Sequence, residues 1–203
     1  MRLHSAPGSG NSYKVRLVLG LLGTRYEIIN YDIRGGETNS PEFLENVNPD
    51  GKLPVLELED GTMLPESGAI LLYLAQGTPY LPEQKLEWAQ VLRWMFFEQY
   101  SLLPNLSRPR LWRRWEVEIT PQRKVEQEQF FEQGYRALSV MERHLSDREF
   151  FVGDRSTVAD VALYVYPSVA HEGGFDLESY AAVRAWLERV AALPGYVPLK
   201  PPG

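Results

Sequence analysis

From Tyr13 onward the apolar residues Val15, Val18, Leu19 and Leu22 recur at spacings of three and four, which paints one face of a helix. Gly23 stands where a helix C-cap belongs. Extended runs flank this helix. Residues 2–6 predict a short strand stopped by Pro7 and Gly8, and the loop APGSGNS follows. The segment RYEIINYDI, with Tyr26, Ile28, Ile29, Tyr31 and Ile33, predicts a second strand. Strand, helix and strand make a βαβ unit, so the two strands are expected to be parallel with a right-handed crossover. After the loop RGGETNS, Pro41 follows Ser40 as a first helical residue of PEFLENV, which ends at Asn48-Pro49-Asp50-Gly51. Next comes GKLPVLELEDGTMLPES. Val55, Leu56 and Leu58 run out, Asp60-Gly61 predicts a type I′ turn, and Met63 and Leu64 return. The helix after Glu66 carries Ile70, Leu71 and Leu74 and stops at Gly77. Residues 1–76 therefore read β-α-β-α-β-β-α, a small sheet with helices on both sides.

The pattern then changes. Residues 77–82, GTPYLP, form a linker with two prolines, and long helical periods follow. One helix is expected over 83–103, with Trp88, Val91, Leu92, Met95 and Phe96 on its apolar side. Pro104 and Pro109 interrupt residues 104–120 and predict a break there. Residues 121–146 are amphipathic, with Phe131, Tyr135, Leu138, Met141 and Leu145 at helical spacing. Residues 157–170 are apolar almost all round, which predicts a buried helix. A last helix is expected over 178–193, and the tail VPLKPPG reads as extended.

The chain has 203 residues, a net charge of −6 and no cysteine. Missing thiols exclude disulfides, thiolate metal sites and cysteine nucleophiles, and they fit a reducing compartment. The acidity argues against broad nucleic-acid or anionic-membrane binding. No apolar run approaches the roughly 20 residues of a membrane span, and the N-terminus lacks a secretory signal, so a cytoplasmic protein is expected. The arginines of RPRLWRR (108–114) read as a solvated face or as partners for acidic helices. His4, His144 and His171 show no ligand spacing, so no metal is expected.

Four stretches have the residue types for chemistry or for folding. Ser9, Asn11 and Ser12 lie between a strand end and a helix N-terminus, where free N–H groups favour an anion and where serine and asparagine also serve as ordinary caps. Pro54 at a strand start is a structural proline, or marks a cis bond that exposes the backbone of Leu53. Glu66 and Ser67 suit a helix start or an anchor for a polar ligand. Thr157 and Asp160 stand at the positions of a capping box, which is folding information.

In their order and spacing these pieces resemble a cytosolic glutathione S-transferase over nearly the whole chain. The resemblance rests on the serine loop before NSYKVRLVLGLLG, on NPDGKLPVLELEDG, on LPESGAILLYLA, and on STVADVALY at the head of a buried helix. It implies a thioredoxin-like α/β domain over residues 1–77 and an all-α helical domain over 84–203 that forms the pocket for a second substrate. It also implies a cis Leu53–Pro54 bond, with the Leu53 backbone pairing with the cysteinyl part of glutathione. Glu66 and Ser67 would bind the γ-glutamyl end, and Lys52 would lie near the glycyl end. The pattern S-x-N-S-x-K-V-R is similar to serine-type theta, phi and zeta-like members, where Ser9 aligns with the donor to the thiolate. A bacterial subgroup similar to yeast prion-like transferases places an asparagine there, here Asn11. Ser9 ranks first, Asn11 second and Ser12 third.

One departure is that Thr38 and Asn39 precede Ser40-Pro41-Glu42 where phi-like members carry a histidine, which leaves the glycyl carboxylate to Lys52 or Arg34. The implied activity is attack of a glutathione thiolate on a hydrophobic electrophile or a peroxide, without metal, in a homodimer. Tyr100, Trp112 and Trp115 are candidate walls for the electrophile. The alternatives are a glutathione-dependent isomerase, a disulfide reductase, and a non-catalytic binding or regulatory protein.

Overall fold

The computed structural model describes residues 1–199, which divide into two compact units. Met1–Thr78 and the segment from Leu193 make the first, and Pro79–Ala192 the second. Part of the tail expected over 197–203 lies outside the described residues.

The first unit is built on a four-stranded sheet in the order β2-β1-β3-β4. The strands are β1 (Arg2–Ser5), β2 (Glu27–Asn30), β3 (Val55–Glu57) and β4 (Met63–Pro65). β1 and β2 are parallel, as the βαβ pattern requires, and β3 runs antiparallel to both β1 and β4. Helix α1 (Gly10–Leu21) and helix α3 (Ser67–Ala75) cover one face. Leu3 and Leu56 sit opposite each other in the register and bury this face with Val15, Leu19 and Ile70. Alternation along the strands sends Arg2, His4 and Glu57 to the other face. There Glu57 pairs with Arg2 and accepts from His4 Nε2 at 3.1 Å, while His4 Nδ1 meets the Tyr31 hydroxyl at 2.8 Å. Tyr31 rests edge-on against Phe43 of α2 (Pro41–Asn46). The Arg2 guanidinium, and then His4, hold the Glu57 carboxyl below its ordinary range.

The second strand is shorter than the apolar run suggests. Ile33 lies beyond it in an exposed loop, because Tyr31 turns under the sheet to reach His4. The hairpin is present, but its turn is not type I′. Gly61 alone takes a positive φ, of 85°, and Asp60 stays in the ordinary region while its carboxylate accepts from Thr62 N–H at 2.9 Å. Leu58 N–H then bonds Thr62 C=O, which is the three-residue loop with a glycine in the left-handed region.

After the second unit the chain returns to α1. Gly20 permits this, since a Cβ there would sit 2.6 Å from the Gly195 carbonyl oxygen. The Tyr13 hydroxyl donates to Val197 C=O at 2.7 Å and holds the strap down.

The second unit is helical throughout its regular structure: α4 (Lys85–Phe97), α5 (Leu103–Arg114), α6 (Pro121–Leu145), α7 (Val158–Ser168), α8 (Ala170–Gly173) and α9 (Ala181–Ala191). No break separates α4 from α5. A π-helical turn over Glu98–Leu102 joins them, Pro104 follows it in the first turn of α5, and α5 runs through Pro109 to Arg114. α7 is buried almost all round, as its composition dictates. Arg110 of the RPRLWRR run is itself buried and bonds Glu172 at 2.7 Å.

Candidate functional site

Strand register brings the singled-out residues of the first unit to one end of the sheet. His4 is opposite Val55, and Val55 is opposite Pro65. The positions just beyond are therefore the loop after Ser5, the Leu53–Pro54 dipeptide and Glu66. Both α1 and α3 begin at this end, so two helix N-termini face the same place.

Ser9 is the N-cap of α1, and its Oγ accepts from Ser12 N–H at 3.3 Å. That bond uses a lone pair and leaves the Ser9 O–H to donate. Ser9 and Asn11 are half-buried, whereas Ser12 is 1% exposed with its hydroxyl turned into the protein interior. Burial thus separates the first two from the third. α1 has no acidic residue in its first turn, while α2, α4 and α7 carry Glu42, Glu87 and Asp160 there. The positive end of α1 is left without a carboxylate of its own.

The Leu53–Pro54 bond is cis. Pro54 is buried and Leu53 half-buried. Among the described residues nothing pairs with the main-chain N–H and C=O of Leu53, because the ladder to β1 starts at Val55. This is a short free strand edge of the kind that an extended peptide can join. Lys52 is exposed beside it. The loop over Glu37–Asn39 packs against the same turn. A Cβ on Gly51, which has φ +64°, would lie 3.1 Å from Thr38 C=O.

Glu66 precedes α3 with φ 71° and ψ 113°, and its side chain makes no capping bond. A non-glycine residue in that region is strained by about 1–3 kcal/mol, and such residues cluster at ligand sites. The sequence shows only a good helix start here, since a carboxylate gives no sign of positive φ. Ser67 follows it, 4% exposed, as the first residue of α3.

The sequence marks Asn48 only as part of a helix-ending turn. Its amide in fact ties the turn before Leu53 together, with Nδ2 donating to Lys52 C=O at 2.9 Å and Oδ1 accepting from Asp50 N–H at 3.1 Å. The Asn-Pro-Asp-Gly run was the available signal, because asparagine side chains bond their own backbone two residues on.

In the second unit, Trp112 meets Phe130 edge-on at 5.7 Å, and both line an open hollow of about 560 Å³ with Arg108 and Arg123. Tyr100 is 87% exposed and, like Trp115, takes no part in that hollow. Among the described residues no group of three or more acidic or histidine side chains could hold a metal ion, and no helix is long and apolar enough to cross a membrane.

The family described as Glutathione S-transferase, N-terminal domain, matches residues 1–76, and Glutathione S-transferase, C-terminal domain, matches 92–194. A crystal structure of a glutathione S-transferase from Pseudomonas fluorescens superposes with a TM-score of 0.93 at 46% identity, covering 98% of both chains. The disulfide-bond oxidoreductase YfcG of Escherichia coli (strain K12) is 31% identical over 95% of this chain and 90% of its own. The glutathione transferase URE2P6 from Phanerochaete chrysosporium, in complex with oxidized glutathione, superposes with a TM-score of 0.84 at 28% identity, covering 96% of this chain and 91% of that one. With a thioredoxin-like unit and a helical unit both matched in order, this chain belongs to the glutathione S-transferase family.

Proposed function

We propose that this sheet end binds glutathione and lowers the pKa of its thiol, so that the thiolate attacks an electrophilic small molecule or a peroxide. One observation carries the reading: the unpaired backbone of Leu53 lies at the same sheet end as two helix N-termini, one of them capped by Ser9. The Leu53 N–H and C=O extend the sheet onto the cysteinyl residue. Glu66 takes the α-amino group, and Ser67 with the start of α3 takes the α-carboxylate. Lys52 serves the glycyl end, and Pro54 holds the turn. The sulfur then lies against the first turn of α1. A thiolate there gains from the uncompensated helix end and from the Ser9 hydroxyl, with Asn11 alongside. A hydroxyl whose oxygen already accepts a bond is also a better donor. The serine donates to the thiolate and forms no covalent bond.

The glutathione ligand of the fungal relative and the glutathione S-transferase from Pseudomonas fluorescens support this reading. The Escherichia coli relative favours a second reading, disulfide reduction, which would use the same thiolate on a disulfide sulfur. Ser9→Ala is expected to lower turnover of an activated aryl halide about a hundredfold, the worth of one preorganised donor. Calorimetry should show glutathione affinity changed less than threefold, since the cap bond is lost from the free and the bound protein alike. Unchanged turnover would remove Ser9 from the chemistry. No binding by the unmodified protein at millimolar glutathione would make it an interaction module instead.

Pairing of two copies belongs to the same reading. Tyr73 on α3 is 49% exposed and Phe96 on α4 is 68% exposed, as apolar area for a partner to cover. Light scattering should give twice the mass of the 23.2 kDa chain, and Phe96→Glu should shift it toward the single chain.

A further inference from the structure

We infer that Asn48 is a positioning residue for glutathione, fixing the direction in which Leu53 offers its N–H. The inference rests on the proposed pairing at Leu53. Asn48 is 3% exposed and held by its own N–H, which donates to Phe43 C=O at 3.0 Å. Its Nδ2 draws the Lys52 carbonyl toward the protein interior at 2.9 Å. That carbonyl and the Leu53 N–H belong to one peptide group. The group is trans, since the cis bond is the next one along. In a planar trans peptide the C=O and N–H point opposite ways. Pulling the carbonyl inward therefore turns the Leu53 N–H outward, onto the free edge.

The other end of the same amide closes the turn. Oδ1 accepts from Asp50 N–H at 3.1 Å, and Gly51 N–H returns to Asn48 C=O at 3.0 Å. The loop from Asn48 to Lys52 thus has its ends tied by one buried side chain. A peptide plane without that tie is free to rotate, and a ligand that needs one orientation bears the cost of selecting it. Lys52 contributes its carbonyl to this device, while its exposed side chain remains available to a ligand.

Asn48→Asp tests the inference at nearly constant size. The carboxylate keeps an acceptor for Asp50 N–H but sets an oxygen against the Lys52 carbonyl, so the peptide plane loses its tie. Glutathione affinity measured by calorimetry is expected to fall about tenfold, the worth of one good hydrogen bond. Affinity for γ-glutamylmethylamide, which has the γ-glutamyl end without a cysteinyl backbone, is expected to stay within twofold by NMR titration. Glutathione should also slow amide exchange at Leu53 in the unmodified protein and not in the variant. Asn48→Ala loses both ends of the tie and should fall at least as far. Equal loss for both ligands, or no loss for glutathione in a folded Asn48→Asp protein, overturns the role of Asn48 and leaves glutathione binding intact. Failure of the unmodified protein to bind glutathione would instead overturn the reading beneath it.

Discussion

Asp160→Ala is expected to lower the stability of the helical unit by about 4 kcal/mol, seen as an early midpoint in urea followed by circular dichroism. Asp160 is fully buried at the start of α7 and takes four donors. Phe151 N–H and the Trp186 indole N–H reach Oδ1 at 3.1 and 3.0 Å, while Thr157 N–H and its hydroxyl reach Oδ2 at 2.9 and 3.1 Å. Alanine strands the indole and two main-chain donors in a dry interior, at about 1–3 kcal/mol each. A loss under 1 kcal/mol would show that water or a shifted helix start replaces the carboxylate.

The same residue makes a pH prediction. Burial is the largest influence and pushes its carboxyl up from 3.8 to about 6, although all four donors pull it back. A folded value above the unfolded one means that the folded state keeps its proton longer as pH rises. Stability from this group is then greatest below about pH 4 and is lost as pH rises toward 6, by about 3 kcal/mol in all. Asp160→Asn has no proton to lose. Its stability deficit relative to the natural protein should shrink between pH 4 and 6 and stay level above that. A constant deficit would mean that the carboxyl titrates alike in the folded and unfolded chain.

Glu66→Gly should separate stability from ligand binding. The side chain of Glu66 caps nothing, and its backbone sits at φ 71°. Glycine has no Cβ to clash there and is an acceptable N-cap, so the variant should be as stable as the natural protein or up to about 1 kcal/mol more so. Its glutathione affinity should fall at least thirtyfold, because a charge-assisted bond of about 2 kcal/mol to the α-amino group disappears. Melting and calorimetry on one preparation check both halves. A variant that melts earlier would show that Glu66 supports the fold; an unchanged affinity would move the γ-glutamyl anchor elsewhere.

The Asp60-Gly61 pair marked the hairpin, but turn type depends on how far Leu58 and Thr62 continue the ladder, a matter of pairing rather than composition. Pro104 and Pro109 predict a break, yet α5 follows the π turn and runs through Pro109 to Arg114, which a local rule for proline does not foresee. Val158 to Val165 read as a buried helix and are one, since an all-apolar surface has a single way to avoid water. Ser9, Glu66 and Ser67 were visible as good helix starts. Their convergence was not, because nothing local says that β1, β3 and β4 end together.

What the sequence determined alone was the order of strands and α-helices in the first unit, the caps at Ser40 and Thr157, and the buried stripes. Each depends on residues within a turn or two of one another, where propensity and periodicity act directly. Only the tertiary structure decided that Leu53 stands outside the ladder to β1, that Glu66 adopts a positive φ, and that the segment from Leu193 returns to α1 past Gly20. Those outcomes turn on strand register and on close approach between distant segments. Long-range packing can hold a side chain or peptide in a conformation that its neighbours in sequence would not choose.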